Sequence, residues 1–198
     1  MNGCKWCDYK ENEWLLYQSL HWSVYLADIQ DYVGRCILVL NRHCGSLSEL
    51  DISEWIELKT IIDRLECIFR EVLGAELSNW SCLLNNFYKE AIPNPHLHIH
   101  VRPRYKNAVV INNHSYTDAE FAHHYALKKE SLLPDDDRQI LYAQMKKHFV
   151  CSEPTLIEEI SGTSSYIYEP SYLRKQGEEP VSIYESVTDG DVPKLLFN

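Results

Sequence analysis

The sequence predicts a single domain that mixes helix and strand, and three observations carry that prediction. The chain has 198 residues of which 45% are apolar, enough to close one well-packed core. The stretch "NPHLHIHVRPRY" (94–105) alternates strictly between polar and apolar residues, the period of a strand. Between residues 51 and 74 apolar residues recur instead at spacings of 3 and 4, bounded by a start signal and a glycine stop.

The elements follow in chain order. "EWLLYQSLHWSVYLA" (13–27) is rich in Trp, Tyr, Leu and Val and reads as one or two strands. "DYVGRCILVLNRH" (31–43) carries a buried-type apolar run from Cys36 to Leu40 after a turn at Gly34. Asp51 and Glu54 form a capping-box pair. Trp55, Leu58, Ile62, Leu65, Phe69 and Val72 then mark the core face of a long helix, a subunit contact being the secondary reading, and Gly74 ends it. "NWSCLLNN" (79–86) reads as a strand and "FYKEAIPNP" as a loop punctuated by prolines. The histidine strand follows, and "NAVVI" (107–111) suits another short strand. "TDAEFAHHYALKK" opens on a capping box from Thr117 to Glu120, which predicts a short helix. "PDDDRQILYAQMKKHF" (134–149) predicts a further helix, with acids in its first turn and Lys146, Lys147 and His148 in its last. From about Cys151 the apolar periodicity fades. Residues 150–198 read as an acidic, Tyr-containing extension, irregular or partly disordered, whose removal after His148 or Phe149 is expected to leave a folded domain. No repeat at solenoid periods is present.

A net charge of −10 argues against nonspecific binding to nucleic acid or to anionic membranes. No apolar run reaches transmembrane length, and the first residues carry no signal-peptide pattern. Seven cysteines, an odd number without secretory features, predict a reducing, cytoplasmic setting in which they are free or bound to metal.

On a strand, His96, His98, His100, Arg102 and Arg104 share one face, with Leu97, Ile99 and Val101 on the other. Neighbours in that row stand roughly 6.5–7 Å apart, two residues of strand rise. Such a cationic row suits phosphate, because a guanidinium binds it bidentately and an imidazole can attack, donate or carry a proton near neutral pH. The alternative is a solvated polar face that happens to be His-rich. Pro103 limits how far this strand runs as a paired central element. "CKWC" places Cys4 and Cys7 at zinc-ligand spacing, and no strand precedes it, so a thioredoxin-like dithiol lacks its context.

Strand, long capped helix, strand, proline loop and then "HLHIHVR" resemble the histidine triad (HIT) superfamily, whose signature alternates three histidines with apolar residues. Six of its seven positions fit, Arg102 standing in the last apolar place. "HIHVRPR" looks most like the dinucleoside polyphosphate hydrolase branch. The resemblance runs from residue 4 to about 149, making 1–149 the nucleotide-binding domain. It implies an α+β fold, an antiparallel sheet of about five strands with a long helix and further short helices, assembled as a homodimer. It implies a small-molecule nucleotide substrate, such as diadenosine tetraphosphate, cut at the α-phosphate. The nucleophile would be His98, forming a nucleotidyl-histidine that water then cleaves. His100 would hold phosphate oxygens or the leaving group, and His96 completes the triad. Family transferases carry Gln at the third histidine's place, so His100 and the Leu97 between the first two histidines favour hydrolysis. A non-catalytic nucleotide-binding scaffold and a nucleotidyltransferase are the competing readings.

The resemblance also implies one structural zinc. "LNRHCGSLSEL" matches a segment whose histidine, here His43, is a ligand in zinc-bearing relatives, and the first triad histidine, His96, joins Cys4 and Cys7 to complete the set. Asn85 and Arg35 stand where relatives contact phosphate, Arg102 and Arg104 extend the row toward distal phosphates, and either Asp28 or Asp31 receives ribose hydroxyls. His21, His114, His123, His124 and His148 show no comparable arrangement. One stretch departs from the family. Relatives carry Gly-Gln-Ser/Thr just before the triad, whereas this chain has "EAIPNPH", in which Ile92 and Pro93 offer no side-chain donor.

Overall fold

The structure is a computed structural model that describes residues 3–9, 13–124 and 132–151. The proposed C-terminal extension lies outside the described residues beyond residue 151. Five strands form one antiparallel sheet in the order β1-β2-β3-β5-β4. These are β1 (Leu15–Gln18), β2 (Trp22–Leu26), β3 (Cys36–Leu40), β4 (Leu77–Ser81) and β5 (His98–Arg104). Segment 13–27 is thus a hairpin, with Tyr17 opposite Val24 and Gln18 opposite Ser23. β5 lies between β3 and β4, with His98 opposite Val39 and His100 opposite both Ile37 and Ser81. Its pairing with β3 stops at Val101, whereas its pairing with β4 continues through Pro103 to Arg104. Proline's missing N–H is therefore tolerated on the side where the ladder has already ended.

The long helix α2 (Ile52–Leu73) packs on the face that carries Leu97, Ile99 and Val101. Its buried apolar residues are Leu58, Ile61, Leu65, Ile68, Phe69 and Leu73. Trp55, expected in the core, is 44% exposed. The other expected positions hold: Leu58, Leu65 and Phe69 are buried and Ile62 and Val72 pack against the core, while Ile61, Ile68 and Leu73 widen the buried stripe on one side. Asp51 and Glu54 form the capping box, and Gly74 closes the helix at φ 63°.

Glu54 also receives two hydrogen bonds from Arg42, at 2.6 and 2.8 Å, which tie the loop after β3 to the helix start. Arg42 holds the Glu54 carboxyl below the usual range, against the opposing effect of burial. A carboxyl depressed on folding stabilises fully above its unfolded pKa, about 4.3, and that contribution disappears as pH falls through the lower folded value. Thermal melts of the wild type and Glu54→Gln should therefore differ at pH 7 and converge under strongly acidic conditions.

The strand expected over 79–86 ends at Ser81, and a 3₁₀ turn occupies Asn85–Lys89. After β5, β6 (Val109–Ile111) and β7 (His114–Tyr116) form a hairpin, turned by Asn112 and Asn113 at φ 49° and 64°. The buried Asp137 carboxylate accepts from His114 Nδ1 at 2.8 Å and from the Tyr116 hydroxyl, docking this hairpin on α3 (Asp135–Cys151). The helix expected from Thr117 is absent over 117–124, and the rest of that segment lies outside the described residues. Its acids are used otherwise: Asp118 receives Arg104, and Glu120 receives the Tyr32 hydroxyl. No described helix is long and apolar enough to cross a membrane.

Candidate functional site

β5 places His98 and His100 on the face away from α2, as its alternation requires, and His96 stands just before the strand. The His98 ring lies 4.9 Å from that of His100, the two planes nearly perpendicular at 87°. His98 Nδ1 sits 2.9 Å from the His96 carbonyl oxygen. A carbonyl can only accept, so Nδ1 carries the proton and the lone pair lies on Nε2. Burial pulls the His98 imidazole below the usual histidine range, favouring the neutral, nucleophilic form. Burial is also the largest influence on His100, which His98, Arg35 and Arg102 help push down to about 3.

Two aromatic rings flank His98: Trp6 at 5.6 Å between centroids and Phe87 at 5.7 Å. Neither was expected from the sequence. Trp6 comes from α1 (Lys5–Asp8), a single turn too short for a helical reading, and Phe87 from the 3₁₀ turn that Asn85 opens. Trp6's place between two ligand-type cysteines was the only available signal. Asn85 itself is exposed.

The row continues beyond His100, but its two guanidiniums meet protein partners. Arg102 is 5% exposed and its Nε donates to Asp31 Oδ2 at 2.9 Å. Arg104, 1% exposed, binds Asp118 through Nε at 2.6 Å and Nη2 at 3.1 Å. It also donates to Asn79 Oδ1 and to the carbonyls of His123 and Glu120, with the Tyr32 ring against its face. The expectation that these two arginines reach distal phosphates is therefore revised. Buried carboxylates claim them, and they brace the sheet against segments 31–35 and 118–123. Removing one partner of a buried ion pair costs about 3–5 kcal/mol. Arg104→Ala should lose stability on that scale in chemical denaturation; a change under about 1 kcal/mol would leave room for a ligand-facing role. Asp28 pairs with Arg138 at 2.7 Å, and Asp31 with Arg35 and Arg102, so both candidate ribose contacts have partners within the chain.

Next to His98 and His100, the first triad histidine joins a second cluster, in which Cys4, Cys7, His43 and His96 place their ligand atoms within 4.8 Å of one another. Cys4 Sγ lies 3.2 Å from His96 Nδ1, and Cys7 Sγ lies 3.4 Å from His43 Nδ1 and 3.5 Å from His96 Nδ1. A tetrahedral ion with bonds of about 2.3 Å to sulfur and 2.0–2.1 Å to nitrogen sets sulfur and nitrogen about 3.5 Å apart. The spacings fit. His96 Nε2 donates to the Leu40 carbonyl at 2.7 Å, which leaves the Nδ1 lone pair aimed at the cysteines, the outer hydrogen bond that a metal-binding histidine needs. Burial, then Cys4, push the Cys7 thiol up to about 11, so a dication is what would make paired thiolates stable here. These four residues can hold a metal ion.

The antiparallel sheet, with His98 and His100 on its second-last strand and His96 just ahead of that strand, has the fold of solved histidine triad proteins. No known family model matches the sequence, and no curated protein matches it. Solved structures do. A hypothetical histidine triad nucleotide-binding protein from Sulfolobus tokodaii strain 7 superposes with a TM-score of 0.53 at 14% identity, covering 75% of this chain and 93% of its own. A histidine triad protein from Sinorhizobium meliloti 1021 gives 0.51 at 17% identity, covering 68% and 87%. A uridylyltransferase gives 0.52 at 16% identity, covering 72% of this chain and 43% of its own length. At these identities the likeness is one of fold.

Proposed function

We propose that this protein is a nucleotide hydrolase that cuts a phosphoanhydride or phosphoramidate bond at the α-phosphate through a nucleotidyl-His98 intermediate. The carrying observation is the hydrogen bond from His98 Nδ1 to the His96 carbonyl, because it fixes the lone pair on Nε2. That nitrogen attacks phosphorus, a P–N bond forms, and the bond to the leaving oxygen or nitrogen breaks, its electron pair departing with that atom. Water then attacks the same phosphorus, the P–N bond breaks, and His98 is restored. Trp6 and Phe87 wall the nucleophile and offer π-faces to a base. Arg35 supplies positive charge beside the triad. Arg102 and Arg104 serve the scaffold, and Asn85 borders the site through its turn.

A dinucleoside polyphosphate such as diadenosine tetraphosphate is the proposed substrate, on the likeness of "HIHVRPR" to that hydrolase branch. His100, where transferases carry Gln, favours water as the acceptor. The metal is assigned as structural zinc, held by Cys4, Cys7, His43 and His96; when bound, it ties the α1 turn to the strand that carries the nucleophile. A homodimer and a cytoplasmic setting complete the reading.

The second reading, a nucleotide-binding scaffold without turnover, draws on "EAIPNPH", where Ile92 is 84% exposed in place of a donor-bearing stretch. Incubation with a dinucleoside tetraphosphate and with an adenosine phosphoramidate separates the readings. The hydrolase releases mononucleotide from at least one of them. Binding without release identifies the scaffold, and transfer to an added acceptor in preference to water identifies a transferase.

A further inference from the structure

We propose that Arg35, braced by Asp31, is a positioning residue that holds His100 in the tautomer with its proton on Nε2, as the hydrogen-bond donor for an oxygen or leaving group on the phosphorus that His98 attacks. Its purpose rests on the reading above; its geometry does not.

The guanidinium Nη2 of Arg35 lies 3.3 Å from His100 Nδ1. A guanidinium has donors only, so Nδ1 must accept, and a neutral ring then carries its proton on Nε2. Arg35 is held where this contact needs it. Its N–H donates to the Tyr32 carbonyl at 2.9 Å, and its own carbonyl receives the Ala27 N–H at 3.0 Å and Gln30 Nε2 at 2.9 Å. The turn before it uses Gly34 at φ 94°, where an added Cβ would stand 2.2 Å from Leu73 Cδ1 and 3.1 Å from Pro103 Cγ. Arg35 Nη1 pairs with Asp31 Oδ1 at 3.1 Å, while Arg102 Nε takes Oδ2 at 2.9 Å. The Asp31 carboxylate, 5% exposed as a residue, is thus bridged between two guanidiniums, and one of them is aimed at His100.

The groups facing His100 agree. Burial, His98, Arg35 and Arg102 all disfavour its imidazolium. The adjacent rings therefore hold opposite tautomers for different reasons. A backbone carbonyl takes the proton of His98 Nδ1 and frees Nε2 to attack; a guanidinium occupies His100 Nδ1 and leaves an N–H at Nε2. A nucleophile and a donor stand side by side without either ring having to change protonation first.

The test is nitrogen-15 NMR on the full chain, metal-replete and labelled at histidine, with the His100 resonances identified by their loss in His100→Gln. The expected wild-type spectrum shows Nε2 protonated and Nδ1 bare, unchanged from neutral pH down to about pH 5, where an ordinary histidine would have titrated. Arg35→Met removes donor and charge at similar length. It should mix the tautomers, move the His100 titration upward, and lower kcat by about 10-fold or more with KM changed less. Arg35→Lys, which keeps a cation, should restore part of the tautomer bias. A wild-type His100 protonated on Nδ1, or an Arg35→Met spectrum identical to wild type, overturns the proposal. The expected spectra from a protein that turns over no nucleotide would support the tautomer assignment and overturn only the hydrolase reading.

Discussion

His98→Ala should abolish turnover, by at least about 10³-fold, while circular dichroism and the melting profile remain those of a folded protein. The size follows from what His98 alone supplies. Its Nε2 lone pair is the one the structure frees beside the aromatic walls, because His100 Nδ1 meets Arg35 and His96 Nδ1 points at the cysteines. Without it the two-step covalent route closes, and water must attack phosphorus directly. Losing the ring also removes contacts to Trp6 and Phe87, so some loss of stability is expected, but β5 keeps its pairing on both sides. Turnover close to wild type in this variant would remove His98 from the chemistry.

The second large effect belongs to the metal set. Cys4→Ser with Cys7→Ser should lose the bound metal and lower Tm by about 10 °C or more, as several kcal/mol of lost ligation implies for a chain of this size. α1 is one turn of four residues and cannot persist alone. A metal held by Cys4 and Cys7, on either side of Trp6, would fix that ring against His98, so the double variant should also change Trp6 fluorescence and weaken nucleotide binding. Metal analysis of the metal-replete wild type should give one zinc per chain; no zinc there would refute the site.

Strict periodicity made much of this legible in the sequence. Alternation from His96 to Arg104 placed His98 and His100 on one face, and the capping box with Gly74 bounded α2. The four residues that the resemblance implied as a metal set are likewise brought together. What could not be read was pairing between distant residues. Arg102 and Arg104 sit in phase with the histidines, yet burial draws them to Asp31 and Asp118, some 71 and 14 residues away in sequence. Near the expected Thr117 helix, Asp118 is taken by Arg104 and the capping-box Glu120 by the Tyr32 hydroxyl, again partners distant in sequence. Trp6 stayed hidden because it meets His98, a residue far along the chain, from a turn of only four residues.

The central claim is that His98 becomes covalently nucleotidylated, and the most direct measurement is mass spectrometry of the protein quenched in acid-free conditions within the first turnover of a dinucleoside polyphosphate or phosphoramidate. The P–N bond to histidine is labile in acid, so neutral or alkaline handling is required. The account predicts a mass increase of one nucleotidyl group, localised by peptide fragmentation to His98 and absent from His98→Ala. Mononucleotide release with no adduct at any time, or an adduct on another residue that survives in His98→Ala, would contradict it.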